Sequence, residues 1–421
     1  MFSHAGHSAL ARPIDLGDHM PIAKPAALAL AGLLLAAAST PALADSGRPT
    51  SGPDRAALSA AIAARPGDPA AGVVARVTVD GQAWRGSDED RVSGQPVAPN
   101  ATFRIGSINK TFVAAVLLQL AAEQRVDLDG TVQQYLPGVL PDGTGGSPAY
   151  QPITVRQLLD HTSGLPPVVE GPGRVPNNDL IAQRFGVETF EEVVQRTLRP
   201  AGSSPDSWPK PVFAPGTEQQ YNNFNYRLAG LLIERVTGHS LKQEVTTRIL
   251  DPLHLWHTEL TDGAPLMPEP HLTGYFPDNS GTPTDVSEQG GNPESMLSTP
   301  ADLDRFLRAL LDGELLPPQQ LRDLLTLPRD TSGQPVPYHS SDDCQLGPDK
   351  GKACYSAGLM AIPLQDGTTL WGKTGHDLGY SDGVFATADL RKRLVYAVGI
   401  GDGAPAPALR LAATTFGPFA R

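Results

Sequence analysis

The chain has 421 residues, 40% of them hydrophobic, enough for one large core or two smaller ones, and it is rich in turn formers with 43 glycines and 41 prolines. Thirty-three Lys and Arg against 45 Asp and Glu leave a formal net charge of −12. That balance argues against a nucleic-acid partner or an anionic membrane surface, and no internal repeat or block of like charge points to an array or a tail.

The N-terminus reads as an export signal. Lys24 supplies a positive n-region, Ala26 to Ala38 an apolar stretch too short to span a bilayer, and Ala42-Leu43-Ala44 a cleavage site. The signal fits best from Met20, so residues 1–19 are a misassigned start or a long n-region. We expect cleavage after Ala44, a mature extracytoplasmic chain from Asp45, and no membrane anchor within it. In that compartment the only two cysteines, Cys344 and Cys354, are expected to form a disulfide.

Along the mature chain, Pro53 to Arg65 reads as an Ala-rich helix. Val73 to Val79, an Asp80-Gly81 turn and Gln82 to Trp84 read as a hairpin. Phe103 to Gln124 contains a long helix ending near Arg125, apolar on almost every face and therefore buried. Thr154 with Gln157 is a capping box for a short helix that stops at His161-Thr162-Ser163-Gly164, and Thr189 to Glu192 opens another. Asn225 is expected to cap a helix running to Thr237 and closed by Gly238. Ser240 to Gln243 caps the next, and Thr299-Pro300 starts a helix to Leu311. Short strands follow over Tyr355 to Ile362, Thr368 to Lys373, Gly383 to Thr387 and Leu394 to Ile400, then a terminal helix over Ala408 to Phe416. This order implies an α+β fold with an antiparallel sheet built from both chain ends, flanked by helices, with a helical part inserted between them.

Three short stretches carry chemistry. Ser107 and Lys110 stand one turn apart at the start of the buried helix, where burial lowers an ammonium pKa and makes lysine a possible base for a serine nucleophile. Gly106 before them lets another backbone approach closely. By itself S-x-x-K reads as a capping serine followed by a solvated lysine; the stretches further along change that. Tyr221-Asn222-Asn223 precedes the next long helix. Beside lysines Tyr221 is expected to have a lowered pKa and to shuttle protons, while Asn223 offers a donor and an acceptor to an amide. Lys373-Thr374-Gly375-His376 ends a strand, where an exposed edge can pair with an extended substrate. Lys373 and Thr374 can bind a carboxylate, and Gly375 leaves room for the substrate backbone.

S-x-x-K, Y-x-N and K-T-G in this order resemble the serine β-lactamase and penicillin-binding protein superfamily, in its class C-like branch. Leu158 to Leu165, Pro215-Gly216-Thr217, Asn225-Tyr226, Leu231 to Gly238 and Asp251-Pro252-Leu253 carry the same likeness, which runs from about residue 54 to the C-terminus and is greatest to secreted serine D-alanyl-D-alanine carboxypeptidases. The resemblance implies the β-lactamase/DD-peptidase fold in a single hydrolase domain, residues 45–421. An α/β part from about 54–105 and 296–421 would enclose a helical part from about 106–295. It implies Ser107 as the acylated nucleophile, Lys110 and Tyr221 as the acid/base pair, with Tyr221 the base in deacylation. Asn223 would hold the substrate amide, Lys373 and Thr374 its carboxylate, and the backbone N–H groups of Ser107 and His376 the oxyanion. No metal or organic cofactor is required. The expected partner is a D-Ala-D-Ala stem peptide or a β-lactam, met by a monomer. A β-lactamase, an esterase and a slow-turnover penicillin receptor are the alternatives.

Two departures from that pattern stand out. The carboxypeptidases often have histidine in place of Lys373 and an arginine on the preceding strand, where this chain has Met360. Pro293-Glu294-Ser295-Met296 also replaces small residues, and His376 is expected to add a titratable group at the mouth of the site. Ser163 beside His161 is a rival nucleophile, but no G-x-S-x-G elbow frames it, and it reads as a helix stop lining the cleft. His254 and His257 lack further ligands and read as structural. The stripe Leu228, Leu231, Leu232 reads as core.

Overall fold

Seven strands form one antiparallel sheet in which the two ends of the chain are neighbours: β1 (Ala70–Val79), β2 (Gln82–Asp90), β3 (Gln95–Pro96), β4 (Met360–Pro363), β5 (Thr369–Asp377), β6 (Tyr380–Thr387) and β7 (Lys392–Ile400). Their order across the sheet is β3-β2-β1-β7-β6-β5-β4. The computed structural model describes residues 52–68, 70–168, 176–340, 343–400 and 406–420. The leader and signal expected over residues 1–44 lie outside the described residues.

Both faces of β1 are covered: one carries apolar side chains throughout, the other Val74 together with Arg76 and Thr78, which bond Asp304. Val73, Ala75 and Val77 pack with the helices α1 (Arg55–Ile62) and, at the C-terminus, Ala406–Phe416, whereas Val74 joins the core on the opposite side. That second core is organised around α2 (Asn109–Ala122), where Phe112 to Leu118 are all buried. Phe112 stacks on Phe306 of Pro300–Leu311 with ring centroids 3.7 Å apart, joining α2 to the helix that covers the sheet. A three-stranded sheet of Phe103–Arg104, Met296–Ser298 and Glu259–Leu260 holds the chain just before Ser107. Among the described residues no helix is long and apolar enough to cross a membrane.

The capping boxes at Thr154 and Thr189 form as expected, and Thr299 caps a helix with Pro300 in its first turn. Two expectations need correction. The long helix α3 (Asn223–Thr237) is capped by Asn222, whose side chain accepts from the Phe224 N–H, not by Asn225; Asn225 is turned into the core instead. Tyr355 to Leu359 is also a turn rather than strand. Gly358 there, at φ +80°, lies so close to α2 that a Cβ would stand 2.9 Å from the Lys110 carbonyl. β4 therefore begins only at Met360.

Candidate active site

Ser107 sits in a single 3-10 turn, Gly106–Ile108, that feeds directly into α2, so Lys110 follows it on the same face. Lys110 Nζ donates to Ser107 Oγ at 3.1 Å. The Tyr221 hydroxyl donates to the same oxygen at 2.7 Å. A hydroxyl, a phenol and an amine from two distant stretches thus converge on one atom.

The loop carrying Tyr221 is fixed from three sides. The Tyr221 N–H donates to the Tyr338 hydroxyl (3.0 Å), and the Asn222 N–H donates to His161 Nδ1 (3.3 Å). Burial, reinforced by the Lys110 and Lys373 cations, holds the His161 pKa well below the ordinary imidazole value, so its ring is neutral and Nδ1 can accept. Gln219, fully buried, donates to the carbonyls of Asp160 (2.7 Å) and Tyr355 (2.8 Å) and accepts from the N–H groups of Cys354 (2.9 Å) and Tyr355 (3.1 Å). Ser163, the rival nucleophile, donates to Asn225 Oδ1 at 2.6 Å deep in the interior, which leaves it a structural role.

Two lysines flank the Tyr221 ring. Lys373 Nζ lies 4.8 Å from its centroid and Lys110 Nζ 5.5 Å. Burial, then repulsion from Lys373 and Arg227, drives the Lys110 pKa well below the usual ammonium value. Burial lowers Lys373 to about 8 against the opposing pull of Asp343 and Asp382. The expectation for Tyr221 was the reverse of what is found. Burial raises its pKa, outweighing the Ser107 hydrogen bond and the Arg227 charge that favour the phenolate. Burial thus favours the neutral phenol of Tyr221 and the neutral amine of Lys110.

β4 begins at Met360, opposite Gly372, so among the described residues no strand pairs with Lys373 to His376 on that side. Against this edge lies the Ser107 turn. A Cβ on Gly106 would come within 2.3 Å of the His376 carbonyl and 2.6 Å of its nitrogen, the close approach its glycine foretold. Gly375 serves a different purpose from the one expected. A Cβ there would meet Asp382 Oδ1 at 2.0 Å and the Ile105 carbonyl at 2.2 Å, so the space is used by the protein's own chain rather than by a substrate backbone. The His376 side chain is exposed at the end of this edge. Thr374 Oγ1 lies 3.7 Å from Met360 Sδ, so Met360 does stand beside the K-T-G threonine.

Asn223 opens α3 two residues after Tyr221, and its Oδ1 is buried with no hydrogen-bond partner. One turn on, Arg227 pairs with Glu294 in the interior, and the Glu294 carbonyl accepts from Asn109 Nδ2 at 2.8 Å. Glu294 was visible as a departure in the sequence; Arg227 was visible only as Asn223 plus four. Asp343 carried no signal at all. Its carboxylate accepts from Tyr338 (2.9 Å) and Tyr355 (3.3 Å), and it is held next to the Cys344–Cys354 disulfide, which is formed. Among the described residues no three His, Cys, Asp or Glu side chains gather as a metal site.

Comparison with known proteins gives the family. A curated esterase, EstB of Burkholderia gladioli, is 33% identical over 165 residues, and the Flp protein of Staphylococcus aureus strain N315 is 30% identical over 166. These matches span 40% and 28% of the two relatives, well under two thirds of either. A D-stereospecific amidohydrolase from a Streptomyces species superposes with TM-score 0.71 at 32% identity, over 87% of this chain and 99% of that one. The D-amino acid amidase of Ochrobactrum anthropi SV3 shares the fold, with TM-score 0.65 at 22% identity over 85% and 97% of the two chains. The Beta-lactamase family profile matches residues 58–411. The chain therefore belongs to the Beta-lactamase family and is a serine hydrolase of the β-lactamase and penicillin-binding protein superfamily.

Proposed function

We propose that the protein hydrolyses D-configured amides and esters through an acyl-enzyme on Ser107. The observation that carries this reading is the convergence of Lys110 Nζ and the Tyr221 hydroxyl on Ser107 Oγ. The D preference is supported by the likeness to a D-stereospecific amidohydrolase.

The Lys110 amine takes the Ser107 proton as Oγ attacks the carbonyl carbon. The oxyanion is received by the N–H groups of Ser107 and His376, whose backbones the side-chain-free Gly106 allows to meet. The departing nitrogen or oxygen takes a proton from Tyr221, which Lys110 then restores. Water repeats the sequence on the acyl-enzyme, with Lys110 rather than a Tyr221 phenolate as the base. Asn223 is placed to hold the substrate amide, and Lys373 with Thr374 to hold negative charge on the departing side.

Carboxypeptidase activity on D-Ala-D-Ala peptides is the second reading, favoured by the Lys373 ammonium, which stands 4.8 Å from the Tyr221 ring and donates to the Thr374 carbonyl. Against it, Met360 offers sulfur where a second cation would clamp a carboxylate. Export from the cytoplasm is a companion proposal, resting on Lys24 to Ala44, and N-terminal sequencing of secreted protein tests it. The exposed His376 is placed to add titratable charge at the mouth; unchanged kinetics from pH 5 to 8 in His376→Ala would remove that role.

The test compares D- and L-phenylalanine amide, a D-Ala-D-Ala peptide, a p-nitrophenyl ester and a chromogenic cephalosporin, with the parent protein and Ser107→Ala. Fast turnover of the D-amide, lost in Ser107→Ala, is expected. Turnover confined to the cephalosporin, or acylation without release, would overturn the reading.

A further inference from the structure

Asp382 is a carboxyl group that the chemistry above leaves unused. It lies on β6 directly opposite Gly375 of the K-T-G strand and is only 1% exposed. Among the described residues neither of its oxygens has a hydrogen-bond partner. An ionised carboxylate buried without a donor is so unfavourable that either a counter-charge or a proton has to be supplied. The nearest counter-charge along the sheet is Lys373, a diagonal neighbour on the same face, but its Nζ donates to the Thr374 carbonyl at 2.9 Å.

What stands against the carboxyl is another acceptor. The space that Gly375 leaves empty is bordered by Asp382 Oδ1 and by the Ile105 carbonyl oxygen, 2.0 and 2.2 Å from where a Cβ would stand. Two acceptor oxygens facing one small gap repel unless a proton lies between them. The Ile105 carbonyl accepts from the Ile108 N–H at 3.0 Å, which leaves it a second lone pair for a donor. Burial, then the charge of Asp377, pushes the Asp382 pKa well above the carboxylate range, with Lys373 acting in the opposite sense. Tyr396 on β7 is a further titratable neighbour.

We propose that Asp382 is a positioning residue: held as the neutral acid, it donates to the Ile105 carbonyl and clamps the Ser107 turn onto β5. The proposal rests on the acyl-enzyme reading above, because the two N–H groups that receive the oxyanion lie on either side of this clamp. Ser107 follows Ile105 by two residues and His376 follows Gly375 by one, so a bond across the gap sets the spacing of both donors. The K-T-G glycine then has a definite task in this chain, which is to make room for a carboxyl group from the next strand.

At neutral pH the infrared difference between the parent and Asp382→Asn is expected to contain the carbonyl stretch of a protonated carboxylic acid, shifted down in D2O. Its absence would show an ionised Asp382 and overturn the proposal. Asp382→Asn keeps an N–H donor in the same place, whereas Asp382→Ala keeps none. We expect Asp382→Ala to lower kcat by about tenfold to a hundredfold with KM within about twofold, and Asp382→Asn to restore kcat to within about threefold of the parent. Equal losses in the two variants would overturn the clamp. A melting curve checks folding, and Asp382→Leu, apolar and of similar shape, takes the place of Asp382→Ala if that variant does not fold. Amide hydrogen exchange over residues 103–110 reads the clamp without turnover: faster exchange is expected in Asp382→Ala than in the parent or Asp382→Asn. If the infrared band and the exchange behave in this way but no amide or ester is hydrolysed, the acyl-enzyme reading falls and the clamp stands. Exchange unchanged in Asp382→Ala overturns the clamp.

Discussion

Gly106 and His376 are 270 positions apart in the chain, yet a single methyl group on the former would overlap the backbone of the latter, 2.3 Å from its carbonyl oxygen. Gly106 also has φ +42°, where a side chain is strained. Gly106→Ala is therefore expected to push the Ser107 turn away from the β5 edge. Loss of one oxyanion donor typically costs about 10²–10³ in kcat, and steady-state kinetics on a folded variant would show it. Retained kcat would mean that the oxyanion is held elsewhere.

Tyr221→Phe removes the proton donor to the departing atom and keeps the ring between the two lysines. Amide hydrolysis is expected to fall by about 10²–10⁴. A p-nitrophenyl ester, whose phenolate departs unaided, is expected to lose far less. Equal losses on both substrates would place Tyr221 in a purely structural role.

Lys373, lowered to about 8, is an ammonium below that pH and an amine above it. For a substrate with a negative departing group, kcat/KM is expected to fall as pH rises through about 8, while D-phenylalanine amide keeps its rate there. Stability has the opposite slope. Lys373 ionises lower when folded than its ordinary 10.5, so the unfolded chain holds more protons between about 8 and 10.5, and stability from this group rises with pH across that window. A denaturation series from pH 7 to 10 measures the slope.

Lys110 stands inside the protein at a cost, since burial opposes its charge. Lys110→Met is expected to abolish turnover and raise the melting temperature by about 2–4 °C, the shift that ~1 kcal/mol produces in a domain somewhat smaller than this one. An inactive variant that melts lower than the parent would show that the Ser107 hydrogen bond outweighs the burial cost.

The Cys344–Cys354 bridge closes a short loop next to Asp343. Cys344→Ser with Cys354→Ser is expected to cost about 2–3 kcal/mol of stability by chemical denaturation. Because Asp343 accepts from Tyr338, which in turn accepts from the Tyr221 N–H, turnover should fall as well. Undiminished turnover would mean that the tyrosines hold their places without the carboxylate.

Signals within one turn or one strand were legible in the sequence. Thr154, Thr189 and Thr299 each hydrogen-bond the backbone three residues on, a relation visible in spacing alone. Ser107, Lys110 and Tyr221 could be joined because their motifs occur in a known order, and the Gly106 contact because only a missing side chain explains it. Run lengths misled where burial was the issue. Tyr355 to Leu359 is apolar like a strand because it packs against α2, and an Asn-Asn-Phe-Asn run offers two caps of which packing chooses the first. The Tyr221 pKa was inferred from its cationic neighbours, but its own desolvation is the larger effect. Asp343 and Gln219 left no trace, since the partners of Gln219 lie 59 to 136 residues away and those of Asp343 come from loops without periodicity.

The Gln219 side chain links the strip that carries Tyr221 to the segment leading into β4 through three hydrogen bonds to the main chain of Cys354 and Tyr355, and to the Asp160 carbonyl through a fourth. The phenol and the segment entering β4 are therefore one mechanical unit, and neither can shift alone. Lengthening the 344–354 loop should be tolerated where residue 219 is kept. Where it is replaced, even by glutamate, a carboxylate facing two carbonyls would loosen both halves and blur substrate choice and rate together.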